Sequence, residues 1–154
     1  MTLKRKATVN RISVTTTQRR LRVPAARIRE LVAFIARAEK RGIEHIEVAV
    51  VGRTRMASLN RAHLGHRGST DVLSFDLSGG GGPLVAQIVV CSDAAQREGR
   101  RRGHGAQKEL LLYVTHGLLH LMGYDDHTTA DARRMHARED ELLEAFGVGP
   151  VYER

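Results

Sequence analysis

The residues best suited to chemistry lie in the stretch THGLLHLMGYDDH, residues 115–127. His116 and His120 are four residues apart in an otherwise apolar run, and His127 follows after a glycine. Residues four apart on an α-helix are offset by about 40° around its axis, so the two imidazoles project together. By this spacing a helix offers two nitrogen ligands to one metal ion.

Gly123 is placed to end this helix, and the chain must then turn at GYDD, which brings His127 back towards the pair. Three neutral imidazoles with one open position are typical of a catalytic zinc site. Asp125 and Asp126 are both candidates to accept the second ring N–H of a ligand histidine and so fix its tautomer. We therefore expect one Zn2+ ion per chain, bound by the three histidines.

The spacing of the histidines leaves the reaction open. In zinc peptidases with an HExxH motif, the glutamate directly after the first histidine acts as the general base. Here that position is Gly117, which carries no functional group. The sequence therefore disfavours a peptidase built in this way.

The composition is that of one soluble, globular domain with an aliphatic core. Hydrophobic residues make up 42% of the 154 residues and charged residues 27%, and tryptophan is absent. No apolar run approaches the roughly 20 residues of a membrane span, and the basic N-terminus has no apolar stretch behind it. The only cysteine is Cys91, which rules out an internal disulfide. We expect a cytoplasmic protein without a membrane partner.

Positive charge is concentrated in the first part of the chain. The formal charge is +8, but residues 1–41 hold twelve Lys/Arg against two acidic residues, a net of +10. The remaining residues therefore carry a net of −2. This asymmetry indicates a surface that contacts a polyanion, with nucleic acid as the first candidate.

The hydrophobic patterns predict one α+β domain over residues 1–154, with a mixed four-stranded sheet and about five helices, one of which bears the zinc. The predicted strands span residues 9–15, 43–51, 71–77 and 84–91, and the GGGGP run at 79–83 forms a hairpin tip. The predicted helices span residues 24–41, 54–62, 93–98, 106–122 and 129–146. Their predicted boundary signals are Gly42, Ser92, Gly123 and Thr128.

The histidine stretch HGLLHLMGYDDH resembles the HGxLHLxGYDH signature of the YbeY-type endoribonucleases, a family of bacterial rRNA-maturation factors. Two further segments occur in the family's order: LNRAHLGHRGSTDVLSF resembles its N-terminal motif, and QIVVCSD resembles its GDIxIC strand. The resemblance implies a mixed α/β fold with a zinc-bearing helix, and metal-dependent cleavage of single-stranded RNA. It also implies a role in maturing the 3′ end of small-subunit rRNA and in ribosome quality control.

The chain departs from the family pattern at three points. The family has one aspartate between the tyrosine and the third histidine, whereas this chain has Asp125 and Asp126, so Asp126 stands at the aligned position. We predict His127 as the third ligand, with a His/His/Asp site as the alternative. The family's arginine in the N-terminal motif aligns with Leu64, and Gln87 replaces the acidic residue before the IxIC strand.

The resulting hypothesis is that zinc lowers the pKa of a bound water and polarises a phosphoryl oxygen of the RNA. Arg61 and Arg67 are the candidates to balance the charge that develops on phosphorus, with the arginines at 100–102 guiding the backbone. Asp71 and Asp126 are both candidates for the general base. His116 thus belongs to the predicted catalytic set together with Arg61, Arg67 and Asp71.

The predicted partner is single-stranded rRNA of the small ribosomal subunit, with ribosomal proteins as further candidates. Two rival functions stay open. One is a metallohydrolase that acts on another substrate, such as a peptide. The other is a non-enzymatic ribosome assembly factor, in which zinc is structural and the basic N-terminal third binds rRNA.

Overall fold

The computed structural model describes residues 7–62, 71–149 and 151. The described residues form four strands and five helices, so the predicted α+β class with a mixed four-stranded sheet is confirmed. In chain order the elements are β1 Val9–Thr16, α1 Ala25–Ala38, β2 Ile43–Val51, α2 Arg53–Ala62, β3 Val72–Asp76, β4 Leu84–Cys91, α3 Ser92–Arg102, α4 Ala106–Leu121 and α5 Thr129–Phe146.

The sheet has the strand order β1-β2-β4-β3. Strands β1, β2 and β4 are parallel, and β3 runs antiparallel to β4 along the other edge. Strand β4 is almost entirely apolar, and β2 is apolar from Val48 to Val51, as expected for strands covered on both faces. The carboxyl ends of the three parallel strands therefore meet at one edge of the sheet, and the segments that follow them begin there.

Helix α4 packs unusually close to the sheet, and Gly117 permits this approach. A Cβ atom at position 117 would lie 2.8 Å from Ser74 Oγ and 2.9 Å from Ile88 Cγ2. The Ser74 hydroxyl donates a hydrogen bond to the carbonyl oxygen of Gly117, at 3.1 Å. The glycine next to His116 thus faces strands β3 and β4 and leaves no room for a side chain.

None of the described helices, α4 included, is long and apolar enough to cross a membrane.

Helix α1 ends before the predicted stop at Gly42. Lys40 adopts a left-handed backbone with φ 55°, and the Arg41 N–H donates back to the Ala36 carbonyl at 2.9 Å. The predicted stop at Gly42 was wrong, because the left-handed residue that ends the helix is Lys40. Lysine rarely adopts a positive φ, and glycine usually takes this position. Ala38, the last residue of α1, is exposed.

Helix α3 is longer than predicted and is not capped by Ser92. The Ser92 hydroxyl instead donates to the Val51 carbonyl at 3.2 Å, and the helix continues to Arg102 before Gly103 ends it with φ 77°. The predicted end of this helix at Glu98 was wrong. Glu98 forms an ion pair at 2.6 Å with Arg101, which lies one turn further along the helix. Such pairs stabilise a helix.

Helix α5 begins as the sequence indicates. The Thr128 hydroxyl oxygen accepts a hydrogen bond from the Asp131 backbone N–H at 3.0 Å, which caps the helix. Met135, Leu142 and Leu143 are buried, and Phe146 is half-buried against Phe34 with ring centroids 5.5 Å apart. Because the cap fixes the start of α5, it also fixes the end of the loop that follows α4. This restricts where residues 124–127 can lie.

We predict that Gly117→Ala destabilises the fold although alanine is the better helix former. The gain in helix propensity is about 1 kcal/mol, whereas overpacking in a close-packed interior costs about 1–3 kcal/mol. Urea unfolding should give a net loss of up to about 2 kcal/mol, since the Ile88 methyl group sits on a stiff β-branched side chain.

The matched control is Gly81→Ala at the hairpin tip, where a Cβ would meet nothing within 4 Å. We expect the free energy of unfolding of this control to stay close to that of the unchanged protein. A Gly117→Ala protein as stable as the control would contradict the close approach of α4 to the sheet.

Candidate metal centre

The two histidines of α4 point their Nε2 atoms at the same place. His116 Nε2 and His120 Nε2 are 3.1 Å apart, and the ring planes are inclined at 84° with centroids 4.6 Å apart. The rings lie on one face of the helix because four residues span slightly more than one turn. The structure therefore brings the side chains of His116 and His120 together, as the sequence predicts.

The other nitrogen of each ring is held by a partner from outside the helix. His116 Nδ1 lies 2.7 Å from Oε2 of Glu139, a carboxylate on α5 that is fully buried. His120 Nδ1 lies 3.1 Å from the carbonyl oxygen of Tyr124. Acceptors at both Nδ1 atoms favour the tautomer with the proton there, which leaves an Nε2 lone pair on each ring for a metal ion.

Asp126 completes the group of candidate ligands. Its Oδ2 atom lies 3.6 Å from His116 Nε2 and 3.5 Å from His120 Nε2. Ligand atoms at zinc-nitrogen distances of about 2.05 Å and tetrahedral angles lie about 3.3 Å from one another. The three separations agree with this value to within a few tenths of an ångström, and the donor set of two imidazoles and one carboxylate is one that zinc accepts. The residues therefore fit a zinc ion.

His127 does not lie with the pair on α4, although it was the predicted third ligand. Its side chain is 77% exposed, and its Nε2 lies 3.2 Å from Asp125 Oδ1. Asp125 also accepts the backbone N–H groups of Asp126 and His127, at 2.7 Å and 3.3 Å. The additional aspartate places Asp126 beside the histidines and turns His127 outward. Asp125, Asp126 and His127 form a second group of close ligand atoms, but all three residues are exposed.

The loop that carries Asp126 is anchored to α1 and α5. The Tyr124 hydroxyl donates to Glu39 Oε1 at 2.9 Å, and Arg138 Nε donates to the same oxygen at 3.1 Å. Gly123 has φ 102°, which allows the chain to turn directly after the helix. These contacts fix the Tyr124 carbonyl that holds His120, and they hold Asp126 within reach of the pair.

Sequence reasoning missed both supporting carboxylates, Glu139 and Glu39. A signal for Glu139 exists, since it stands between Met135 and Leu142 on the buried stripe of α5, where an acidic residue needs a partner. Glu39 follows α1 in a polar stretch and gives no such signal. Its role depends on contacts with residues that are 85 and 99 positions away in the chain.

The pKa of His116 is raised above its ordinary value. Burial of the ring lowers it, but the hydrogen bond to Glu139 and the negative charges of Glu139, Asp126 and Asp71 raise it by more. The site is therefore strongly negative around the two imidazoles. Such a field attracts a cation, whether a proton or a metal ion.

Of the other predicted catalytic residues, Asp71 is one whose negative charge acts on His116. It directly precedes β3, and its Oδ1 is 3.7 Å from Arg97 Nη2 of α3. Arg61 is exposed in the last turn of α2, and within the described part of the chain it makes no hydrogen bond or ion pair with the histidines. Arg67 lies outside the described residues, as do the other residues between 63 and 70, including Leu64.

The fold and the site together define an α+β protein whose buried helix carries a candidate histidine metal centre. A family model described as Endoribonuclease YbeY matches residues 12–147. The chain therefore belongs to the endoribonuclease YbeY family.

Individual relatives agree with this assignment. A protein from Anaeromyxobacter sp. (strain Fw109-5), named Endoribonuclease YbeY, is 43% identical over 129 residues, which are 82% of this chain and 67% of that protein. A protein of the same name from Macrococcus caseolyticus (strain JCSC5402) is 37% identical over 126 residues, 75% of this chain and 82% of that protein. A third, from Anaeromyxobacter dehalogenans (strain 2CP-C), is 39% identical, and the alignment spans 65% of its length.

A solved structure has the same fold. The solution structure of TM1509 from Thermotoga maritima matches with a TM-score of 0.58 and 23% sequence identity, and the match covers 93% of this chain and 96% of that one. At this identity the similarity shows the fold alone.

We predict that Asp126, rather than His127, contributes to metal affinity. Loss of a group that merely orients a ligand costs about 10- to 100-fold in affinity, so Asp126→Asn should weaken zinc binding by at least that much. His127→Asn should change it much less, since the exposed ring lies against Asp125 rather than against the two histidines. Competition with a chromophoric chelator measures both, and a larger loss for His127→Asn would restore the three-histidine arrangement.

A pH dependence of stability is expected once the metal is removed by chelation. Because the pKa of His116 is raised from 6.5 in the folded chain, folding takes up a proton. This contribution to stability is complete below the unfolded pKa and is lost as pH rises through the folded one. The free energy of unfolding should therefore contain a term that falls as pH rises above 6.5.

Glu139→Gln isolates this term because it keeps the shape of the partner and removes its charge. Urea unfolding of both chelated proteins across this pH range should show a smaller decline in the variant. Equal pH dependence in the two proteins would mean that Glu139 does not raise the pKa of His116.

Proposed function

We propose that this chain is a metal-dependent endoribonuclease that cleaves single-stranded rRNA during maturation of the 3′ end of the small-subunit rRNA. The observation that carries the proposal is the convergence of His116 Nε2, His120 Nε2 and Asp126 Oδ2, with separations of 3.1–3.6 Å. Three ligands of this kind leave one position for water or substrate, which is typical of a catalytic zinc site.

In the proposed site, zinc is held by His116, His120 and Asp126. A bound zinc ion supplies electrophilic charge to a phosphoryl oxygen and lowers the pKa of a coordinated water. Glu139 orients the His116 ring and increases the basicity of its Nε2 atom. The Tyr124 carbonyl does the same for His120, so neither ring needs to reorient when the ion binds.

Asp71 is the proposed proton acceptor. It is outside the proposed ligand set, and its negative charge reaches His116. Its carboxylate forms an ion pair with Arg97 of α3, with 3.7 Å between Oδ1 and Nη2. Arg61 and Arg67 retain their proposed role of balancing the charge on the scissile phosphate.

A peptidase is disfavoured by the packing as well as by the sequence. Position 117 corresponds to the catalytic glutamate of HExxH enzymes and faces β3 and β4. A Cβ atom there would lie less than 3.0 Å from Ser74 Oγ and from Ile88 Cγ2. A glutamate side chain there would have to displace Ile88 of the sheet. The proposed substrate is therefore RNA, and the proposed place of action is the cytoplasm, with the small ribosomal subunit and its proteins as partners.

The direct test is cleavage of an end-labelled single-stranded RNA that has the sequence of a small-subunit rRNA 3′ end. The zinc-loaded protein should cleave it, and chelation or His120→Ala should reduce the rate by at least about 100-fold, since catalysis by metal contributes several kcal/mol. The matched control is His45→Ala, a histidine of β2 whose ring contacts Ser13 rather than the centre. Equal cleavage by His120→Ala and the unchanged protein would overturn the proposal.

A further inference from the structure

We propose that six exposed arginines form a docking face for the RNA backbone beyond the scissile phosphate. This arginine face consists of Arg19, Arg20, Arg22, Arg53, Arg55 and Arg100. The inference deepens the proposed function and rests on it in one respect: RNA is taken as the polyanion because the proposed substrate of the metal centre is RNA.

The topology brings the segments that carry these arginines to one edge of the sheet. The parallel strands β1, β2 and β4 end at Thr16, Val51 and Cys91, and arginine-bearing segments follow each of them. The carboxyl edge of parallel strands is also the place where open α/β sheets usually bind ligands. The loop after β1, the start of α2 and the start of α3 therefore lie on the same side of the molecule, and Arg100 lies about two turns further along α3.

The first segment is an ordered turn that displays two adjacent arginines. Gln18 Nε2 donates to the Leu21 carbonyl at 2.8 Å, and the Leu21 N–H donates to Gln18 Oε1 at 2.9 Å. This reciprocal pair of bonds closes the turn over Arg19 and Arg20, and both side chains are exposed. A preformed turn loses less conformational entropy on binding than a flexible one.

Direct contacts tie the segments to one another and to the metal-bearing helix. The Arg53 N–H donates to Asp93 Oδ1 at 2.8 Å, which joins the start of α2 to the start of α3. The Gln107 side chain of α4 donates to the Arg22 carbonyl at 3.1 Å. An open surface depression along α3 is lined by Asp93, Gln96, Arg97, Arg100 and Arg101.

The charge of the arginine face is not compensated within the described part of the chain. All six side chains are exposed, and no ion pair among the described residues joins any of them to a carboxylate. Arg97 and Arg101 of the same helix differ, because Glu98 pairs with both. Six like charges on one side repel one another unless a polyanion neutralises them.

The face is continuous with the metal centre. Arg97, in the depression beside Arg100, pairs with Asp71 at 3.7 Å. The negative charge of Asp71 also acts on His116 of the candidate centre. An RNA strand in the metal centre can therefore extend past Asp71 and along α3. Contacts of this kind fix the register of the strand without reading its bases.

The test compares two double variants that each remove two positive charges. Arg19→Gln with Arg20→Gln alters the face, whereas Arg11→Gln with Arg37→Gln alters exposed arginines at the amino edge of β1 and in the last turn of α1. Affinity of the zinc-loaded proteins for a fluorescent single-stranded RNA is measured by stopped-flow anisotropy, before cleavage proceeds, over a range of KCl concentrations.

The face variant should lower the slope of log affinity against log salt by about 1.4, since each phosphate contact to a single strand contributes about 0.7. The control variant should leave the slope unchanged. In steady-state cleavage the loss should appear as a higher KM rather than a lower kcat, because the arginines are remote from the reacting phosphate. Arg53→Gln with Arg100→Gln should lower the slope by a similar amount.

Equal slopes and equal KM values for the face and control variants would overturn the inference. A loss of binding to an acidic ribosomal-protein peptide, with RNA binding unchanged, would overturn it as well. The proposed function fails separately: if His120→Ala cleaves like the unchanged protein, the endoribonuclease assignment falls. The salt dependence of RNA affinity still tests the arginine face, because that measurement does not require cleavage.

Discussion

The buried carboxylate of Glu139 is the constraint on which the metal centre depends. A carboxylate with no exposed surface is stable in a folded protein only when it is paired and hydrogen-bonded. Its partner is Nδ1 of His116, so α5 must dock where its carboxylate meets the ring of α4. The same bond turns Nε2 of His116 towards His120 and Asp126. The hydrogen bond between Glu139 and His116 thus both docks α5 and orients the His116 ring.

The second determinant is how close α4 lies to the sheet. Gly117 brings the helix against β3 and β4, and Gly123 ends it so that the chain turns back at once. The Tyr124 hydroxyl then reaches Glu39 of the segment after α1, which fixes the turn from outside. A rigid helix therefore carries two of the candidate ligands and an anchored loop carries the third, so that few rearrangements would be needed to bind an ion.

Those parts of the site that follow local rules could be predicted from the sequence. The pairing of His116 and His120 follows from helical periodicity, and the turn at Gly123 follows from the conformational freedom of glycine. The identity of the third ligand depends on tertiary contacts: Asp125 bonds to the backbone of the two residues after it, which turns His127 outward. The helical ends at Lys40 and Arg102 were missed because a left-handed lysine and a glutamate–arginine pair override the usual signals.

The central claim is that two imidazoles and one carboxylate bind the metal ion. X-ray absorption spectroscopy at the zinc edge of the zinc-loaded protein tests it most directly, because multiple scattering from imidazole rings counts the histidine ligands. The account predicts two imidazoles, with nitrogen and oxygen donors at about 2.0–2.2 Å, and a spectrum that is unchanged by His127→Ala. A spectrum with three imidazoles, one of which disappears in His127→Ala, would contradict it.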